Sequence, residues 1–424
     1  MNEAGEAIGI PDQWFQHILR TLYQQRTTTR AKIVETTGLN AGSVSRALRV
    51  LLQNGAILKV GELESDAGRP REVLTLNQDA VYFIGVDLES RRIRFALANF
   101  GGDLRYRWEE EFEPNTTLDV QKLFDGIERV AGTLDAPHRG RLQAVGISYP
   151  GLMDRAGKVT AVNLGWHQFP LVAELGRIKN CREFDRLPIF LEPDPQSNVR
   201  AELWLGRARH YRNGVYVSCD RGIGVGIFID GRVIKGSRNM AGELGHMTVE
   251  PDAKDRCNCG KRGCLESIAT STNIIRQYVQ MIGKAPGASA SIRFMEVVEH
   301  ARNGEEPALA VIRRACRAWG LAISHVVNLL NPEVIILGGD LVGTEDLFVP
   351  LIKQELLRHC LPQLAEGLEI TVSSLGLDIR LKAAAALAFR KCLADPALLK
   401  KICSPVLKSR RLLVGAEEAV AAGN

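Results

Sequence analysis

The sequence predicts an α/β chain in two parts, a small basic head and a large duplicated α/β region. Three observations carry that expectation. Positive charge is concentrated near the N-terminus, strand-like segments come in two similar sets, and one His and three Cys in the second set stand at metal-ligand spacing. At 424 residues the chain exceeds the roughly 250–300 beyond which a single core usually divides. With 45% hydrophobic and 24% charged residues, the composition excludes wholesale disorder, a collagen-like repeat and a small disulfide scaffold. No stretch offers the roughly 18 uninterrupted apolar residues of a membrane helix. The best candidate, residues 321–337, contains His325, Asn328, Asn331, Pro332 and Glu333. The first ten residues have neither a basic start nor an apolar run, so a cytoplasmic protein without disulfides or membrane contact is expected.

Between Gln13 and Lys59, seven basic residues (Arg20, Arg26, Arg30, Lys32, Arg46, Arg49 and Lys59) face one acid, Glu35. Their net +6 exceeds the +5 of the whole chain. Such a stretch is either a solvated helical surface or the footprint of a phosphate-backbone binder, and the helical pattern decides. Trp14, Phe15, Ile18, Leu19 and Leu22 recur at helical spacing, with Asp12 as the expected N-cap after Pro11. A short helix over 30–37, capped by Thr28 or Thr29, buries Ala31, Ile33 and Val34 and stops at Gly38. A third helix over 41–53 buries Val44, Leu48, Leu51 and Leu52 and ends at Asn54-Gly55. Short helix, Gly turn and amphipathic helix make a helix-turn-helix. On the last helix Ser43, Ser45, Arg46 and Arg49 are the residues expected to meet base edges and phosphates of double-stranded DNA. Strands at 56–60 and 72–76 would form a wing, with Arg69 in its Gly-Arg-Pro tip suited to a narrow minor groove. Glu62, Glu64 and Asp66 weaken the wing's approach to phosphate. The expectation is a winged helix-turn-helix over 11–76.

From residue 81 the periodicity changes. Strands are read at 82–86, 93–98 and 105–111, then a helix at 118–134 and a strand at 142–148. A second set follows at 215–218, 224–230 and 232–235, with helices at 273–282 and 309–330, strands at 333–337 and 369–373, and a closing helix at 379–392. Two such sets imply a duplicated fold with a cleft between lobes. The lobes are placed at 81–200, completed by a C-terminal helix at about 379–396, and at 201–378, with a tail at 404–424.

His246, Cys257, Cys259 and Cys264 supply one imidazole and three thiolates, the tetrahedral set that structural zinc prefers. Gly260 and Gly263 let the chain turn tightly around an ion, and a loop rich in Lys, Arg and Asp is a poor apolar core. With no spare position in the set, a structural Zn2+ is expected. Cys181, Cys219, Cys316, Cys360, Cys392 and Cys403 show no clustering and read as small buried hydrophobes.

This loop, with the preceding Ala241-Gly242-Glu243-Leu244-Gly245-His246 and the following Leu265-Glu266, resembles the ROK family of repressors and sugar kinases over about residues 81–389. The resemblance implies an actin-like, ribonuclease-H-like duplicated fold. Members with a winged helix-turn-helix and a Gly-Arg-Pro segment are typically sugar-sensing transcriptional regulators, so a repressor acting as a homodimer or homotetramer on a DNA operator is implied. By the same resemblance Glu243, His246 and Glu266 match positions that bind sugar hydroxyls, and Asn163 matches a further sugar-side segment. Glu243 and Glu266 can equally support the metal loop.

The alternative within the resemblance is an ATP-dependent sugar kinase, and three departures stand against it. Where family kinases have Asp-x-Gly-Gly-Thr, this chain has Asp87-Leu88-Glu89-Ser90-Arg91, and Glu89 would both crowd and repel a polyphosphate. The second loop reads Asp220-Arg221-Gly222-Ile223-Gly224-Val225-Gly226 instead of opening on Gly-Thr-Gly, leaving glycines that serve a tight hairpin as well as a phosphate. Of the Asn-Asp pair, Asp194 matches the kinase general base, but Pro193 replaces its neighbour. Asp194 is therefore expected to bind ligand without catalysis and to favour a neutral sugar over a sugar phosphate, with no ATP bound. Loss of the Asn also leaves room for a protein partner in place of the sugar.

Overall fold

The structure, a computed structural model, describes residues 11–64, 70–89, 92–111, 119–161, 165–179, 187–285, 287, 289, 291–395, 398, 399 and 402. The head begins with α1 (Asp12–Gln25), whose N-cap position is held by Pro11, so Asp12 is the first helical residue and not the cap expected from the sequence. A strand unseen in the sequence, β1 (Thr27–Thr29), leads into α2 (Arg30–Thr37). There the Thr29 hydroxyl accepts from Lys32 N–H, and Gly38, at φ +69°, ends the turn. In α3 (Ala41–Gln53) the Asn40 side chain caps the Ser43 N–H at 2.8 Å. β2 (Ile57–Leu63) and β3 (Arg71–Leu76) complete a three-stranded antiparallel sheet in the order β1-β3-β2.

The first lobe contains β4 (Tyr82–Leu88), β5 (Arg92–Asn99), β6 (Leu104–Glu111), α4 (Val120–Ala131), α5 (Ala136–Arg139) and β7 (Leu142–Tyr149). A small three-stranded sheet of β8 (Leu152–Met153), β9 (Val159–Ala161) and β10 (Trp166–Phe169) follows, then α6 (Leu171–Lys179), β11 (Ile189–Pro193) and α7 (Asp194–Trp204). The second lobe has β12 (Gly214–Cys219), β13 (Ile223–Ile229), β14 (Arg232–Ile234), α8 (Leu265–Ala269), α9 (Ser271–Met281) and α10 (Phe294–Arg302). It continues with α11 (Glu306–Leu330), β15 (Val334–Gly339), α12 (Glu345–His359), α13 (Pro362–Ala365) and β16 (Glu369–Val372), and α14 (Ile379–Ala394) returns to the first lobe.

The two main sheets repeat one order: β11-β7-β4-β5-β6 and, read from the matching edge, β16-β15-β12-β13-β14. In each, three neighbouring strands pair in parallel and the other two are added by antiparallel pairing. This duplication agrees with the actin-like expectation. Parallel strands bring their carboxyl ends to one edge, where α/β proteins place ligands. Here those edges carry Asp87, Tyr149 and Pro193 in one lobe and Cys219 and Gly339 in the other.

The head is not hung on a tether. Phe15, Ile18, Leu19, Leu22 and Tyr23 of α1 share one apolar cluster with Phe83, Phe100, Trp204, Phe389, Leu399 and Ile402. Tyr23 packs against Phe389 at 4.5 Å between ring centroids, and Phe389 stacks on Trp204 at 4.7 Å. Gln16 donates to Leu393 O at 2.7 Å and Arg26 to Gly101 O at 3.3 Å. The connection is short and built in, with Ala80 and Val81 buried and Phe100 N–H donating to Gln78 O at 2.8 Å. No described helix is long and apolar enough to cross a membrane. Cys219, Cys316, Cys360 and Cys392 are buried as expected, while Cys181, Cys403 and the tail at 404–424 lie outside the described residues.

Candidate functional site

The solvent face of α3 follows from its helical phase. Val44, Ala47, Leu48 and Leu51 are buried, leaving Arg46 and Arg49 exposed and Ser45 half-buried. The Arg46 guanidinium sits 5.6 Å from the Trp14 ring centroid, a cation–π contact that orients it without neutralising it. Ser45 accepts a hydrogen bond from Arg30 Nη1 at 3.4 Å, and Arg30 also lies 3.6 Å from Glu72 on the wing sheet. Ser43 corrects the sequence reading. Its side chain is 1% exposed and its hydroxyl has no hydrogen-bond partner among the described residues, because it lies one and two turns before Ala47 and Leu51 on the buried face. Arg69 lies outside the described residues.

In the second lobe His246, Cys257, Cys259 and Cys264 converge, with all ligand atoms within 4.8 Å of one another. His246 Nδ1 is 3.4 Å from Cys257 Sγ, and Cys259 Sγ is 3.7 Å from Cys264 Sγ. Tetrahedral zinc, with bonds of about 2.3 Å to sulfur and about 2.0 Å to nitrogen, separates its ligands by roughly these distances, so the donor set fits. Gly263, at φ +68°, passes so close to Glu250 that a Cβ there would fall 1.8 Å from its carbonyl oxygen. The loop is tied to α11 by Arg314, which donates to Glu250 at 2.7 Å and Asp255 at 2.9 Å.

With Nδ1 turned to the thiols, His246 Nε2 points the other way, 3.9 Å from Glu243 Oε2. Burial, opposed by His246 and helped by Glu266, raises the Glu243 carboxyl above its usual range. Glu266 accepts from Ile223 N–H at 3.0 Å, so one of its oxygens supports the β12–β13 turn. Glu243, His246 and Glu266 are thus brought together on one lobe. Asn163 lies outside the described residues.

Asp194 starts α7 on the other lobe, and both of its oxygens are engaged. Oδ1 accepts from Ser148 Oγ at 2.8 Å, and Oδ2 pairs with Arg380 at the start of α14. The same guanidinium lies 3.5 Å from Asp87 and 3.9 Å from Glu89. Arg94 reaches Asp87 at 2.6 Å and Glu89 at 2.7 Å, and Arg92 reaches Glu89 at 2.7 Å. Burial pushes Asp87 up to about 6 against the pull of Arg380 and Arg94. The stretch corresponding to a phosphate loop is therefore filled with internal ion pairs. Ser90 and Arg91 lie outside the described residues.

The glycines of the second loop have a packing role beyond their hairpin. A Cβ at Gly226 would fall 2.3 Å from Pro195 O, and one at Gly224 2.8 Å from the Pro195 ring, so bare backbone lets α7 lie directly on β13. Gln196 on α7 also donates to Asn239 O at 3.0 Å, four residues before Glu243. Sequence reasoning missed Arg380, although an arginine opening the alanine-rich helix Ile379–Ala394 was a visible anomaly.

Two mixed sheets of one order, with a Cys3His loop on one lobe, define the class as a duplicated α/β domain, consistent with the actin-like kind. Within that class the ROK family model matches residues 83–391, and the chain belongs to the ROK family. The xylose repressor of Bacillus subtilis is 26% identical over 85% of this chain and 90% of its own length. The glucokinase of Halalkalibacterium halodurans is 29% identical over 70% of this chain and 92% of its own. A crystal structure of a ROK family transcriptional regulator, described as a homologue of the E. coli MLC protein, is 26% identical with a TM-score of 0.73, covering 92% of this chain and 99% of that one. Repressors and kinases both stand among the relatives.

Proposed function

We propose that the chain is a sugar-responsive, DNA-binding transcriptional repressor, with a winged helix-turn-helix head at 11–76 and the effector bound between lobes at 81–200 and 201–378. The observation that carries this reading is the outward pair Arg46 and Arg49 on α3, on a head that packs into the first lobe's core. The longer match to a repressor than to a glucokinase supports it. Glu243, Glu266 and the free side of His246 would take sugar hydroxyls, since carboxylates accept hydrogen bonds and a zinc-held imidazole keeps a fixed ring. Zn2+ would be structural, holding the loop that presents them. A sugar would act by favouring one lobe arrangement, and so one placement of two heads in a dimer or tetramer on a two-half-site operator.

α7 and α14 offer a route for that coupling. Asp194 and Arg380 meet at the cleft ends of the two helices, and Trp204 and Phe389 stack about 15 Å away beneath Tyr23 of the head. The test is DNA binding after selection of an operator from random duplexes. Arg46→Ala and Arg49→Ala should each weaken binding about tenfold or more, in gel-shift or anisotropy titrations, with sugar binding unchanged. Unchanged DNA affinity for both would overturn the recognition-helix assignment.

The second reading, an ATP-dependent sugar kinase with an accessory head, draws on the glucokinase relative and on the persistence of Asp194. Phosphotransfer from ATP to D-glucose, D-xylose or N-acetylglucosamine should be blank, and measurable turnover would promote that reading.

A further inference from the structure

β6 is the edge strand of the first-lobe sheet, and its pairing with β5 slips by one residue near the head's connection. Tyr106 stands opposite Leu97 and Leu104 opposite Ala98, so Arg105 is the extra residue of a β-bulge, a device that re-aims a side chain. Beside it lies a cavity of about 460 Å3, a size that suits a small organic molecule. It opens at the amino end of β4, beside Tyr82, at the opposite end of that strand from Asp87. Leu97, Leu134 and the rings of Tyr82 and Tyr106 supply its apolar lining, and Asp79, Arg105 and His138 supply its charge.

The polar groups are arranged around a carboxylate. Arg105 Nη2 donates to both oxygens of Asp79, at 3.0 and 3.3 Å, and Tyr82 OH donates to Oδ1 at 3.2 Å. Burial and Asp79 push the Tyr82 phenol up to about 12, so it stays a neutral donor. His138 meets the Tyr82 ring edge-on at 6.0 Å between centroids. Asp135 accepts from the His138 backbone N–H at 3.0 Å and holds its Nδ1, which leaves Nε2 as the ring nitrogen open to a ligand. The Arg105 and Asp79 side chains are 46% and 47% exposed, and an ion pair so exposed contributes little, so a second carboxylate can displace Asp79 from the guanidinium. The Asp79 carbonyl is held separately by Arg141 at 3.0 Å, so the main chain keeps its place in that exchange.

We propose that this cavity binds a small aromatic carboxylate, which takes Arg105 from Asp79, faces the His138 Nε2 and lays its ring against Leu97, Leu134 and Tyr106. Asp79 already shows the group that the guanidinium fork accepts there, and the apolar lining calls for a ring where a sugar would leave hydroxyls unpaired. The site is separate from the cleft that carries Glu243 and Asp194, and Asp79 belongs to the segment that joins head to lobe.

The test uses naphthoate as the probe on the full-length, zinc-loaded chain, with the uncharged naphthamide as control, read by ligand-observed nuclear magnetic resonance titration. Naphthoate should bind wild type at least tenfold more tightly than naphthamide. Arg105→Gln should weaken naphthoate about tenfold and His138→Gln about threefold. Asp79→Asn should tighten it about threefold, because the guanidinium loses its internal competitor. Circular dichroism checks that each variant is folded, and the exposure of these side chains favours that outcome. Naphthoate that does not bind, that binds no better than naphthamide, or that binds a folded Arg105→Gln chain as well as wild type overturns the proposal. Weaker binding by Asp79→Asn overturns the exchange at Arg105. No step uses DNA or sugar, so failure here is separate from failure of the repressor reading.

Discussion

The two lobes share a strand order and end their parallel strands at the same cleft, yet the groups at those ends are committed differently. In the first lobe Asp87, Glu89 and Asp194 are spent on Arg92, Arg94, Arg380 and Ser148. In the second, Glu243 keeps a half-exposed carboxylate and His246 keeps a ring nitrogen turned away from the thiols. Duplication supplied two equivalent edges. One is filled by internal ion pairs, and the other carries the Cys3His loop. The contrast teaches that duplication fixes where strand ends lie but not what the side chains there are committed to.

The largest expected effect falls on the lobe with the Cys3His loop. Wild type should carry one zinc per chain by metal analysis, and Cys259→Ser should abolish it and destabilise the second lobe by about 3 kcal/mol or more. Unchanged metal content would refute the site. Next, Glu243→Gln should weaken sugar binding about tenfold through loss of charge-assisted hydrogen bonds, measured by calorimetry against D-xylose, D-glucose and N-acetylglucosamine. An unaltered affinity for a sugar that binds the wild type would assign Glu243 to loop support and blur the contrast between lobes.

The smallest effect tests the ion-paired lobe. Burial raises Asp87 to about 6 from an ordinary 3.8, so its protonated form stabilises the fold. That contribution is full below the unfolded pKa and is lost as pH rises through the folded one. Lowering the pH from 7 to 5 should therefore stabilise wild type relative to Asp87→Asn by about 1 kcal/mol, read as a pH-dependent gap between denaturant midpoints. A gap that stays flat with pH would mean that the pull of Arg94 and Arg380 fully offsets the burial of Asp87.

Much of this was legible in the sequence where a segment's own periodicity decides its structure. The helices at 30–37 and 41–53 match the structure, and the strands of both main sheets lie within a few residues of their expected places, except β11, where no strand was expected. The metal set was legible because four ligands within nineteen residues carry their own geometry. Ser43 was misplaced because its polarity was allowed to outrank its phase, which is that of Ala47 and Leu51. β1 and β8 to β11 were missed because strands of two to five residues have too little period to register, and their pairing is set by tertiary contacts. Arg380 was invisible for a related reason, since its partners are drawn from four strand ends far away in sequence.

The packed connection at residues 77–81 bears on operator architecture. Asn77 donates to Gly55 O at 2.7 Å on the head side, and Gln78 accepts from Phe100 N–H on the lobe side, so the junction is bonded in both directions. A reading head on a loose linker can reach for half-sites at several separations. A head seated in the first lobe's core has no such reach, so on the proposed repressor reading the distance between two heads would be dictated by how the large domains assemble. DNA spacing then becomes a ruler for the assembly: moving the half-sites apart by half a helical turn should cost nearly all cooperative binding, with no slack in the chain to recover it.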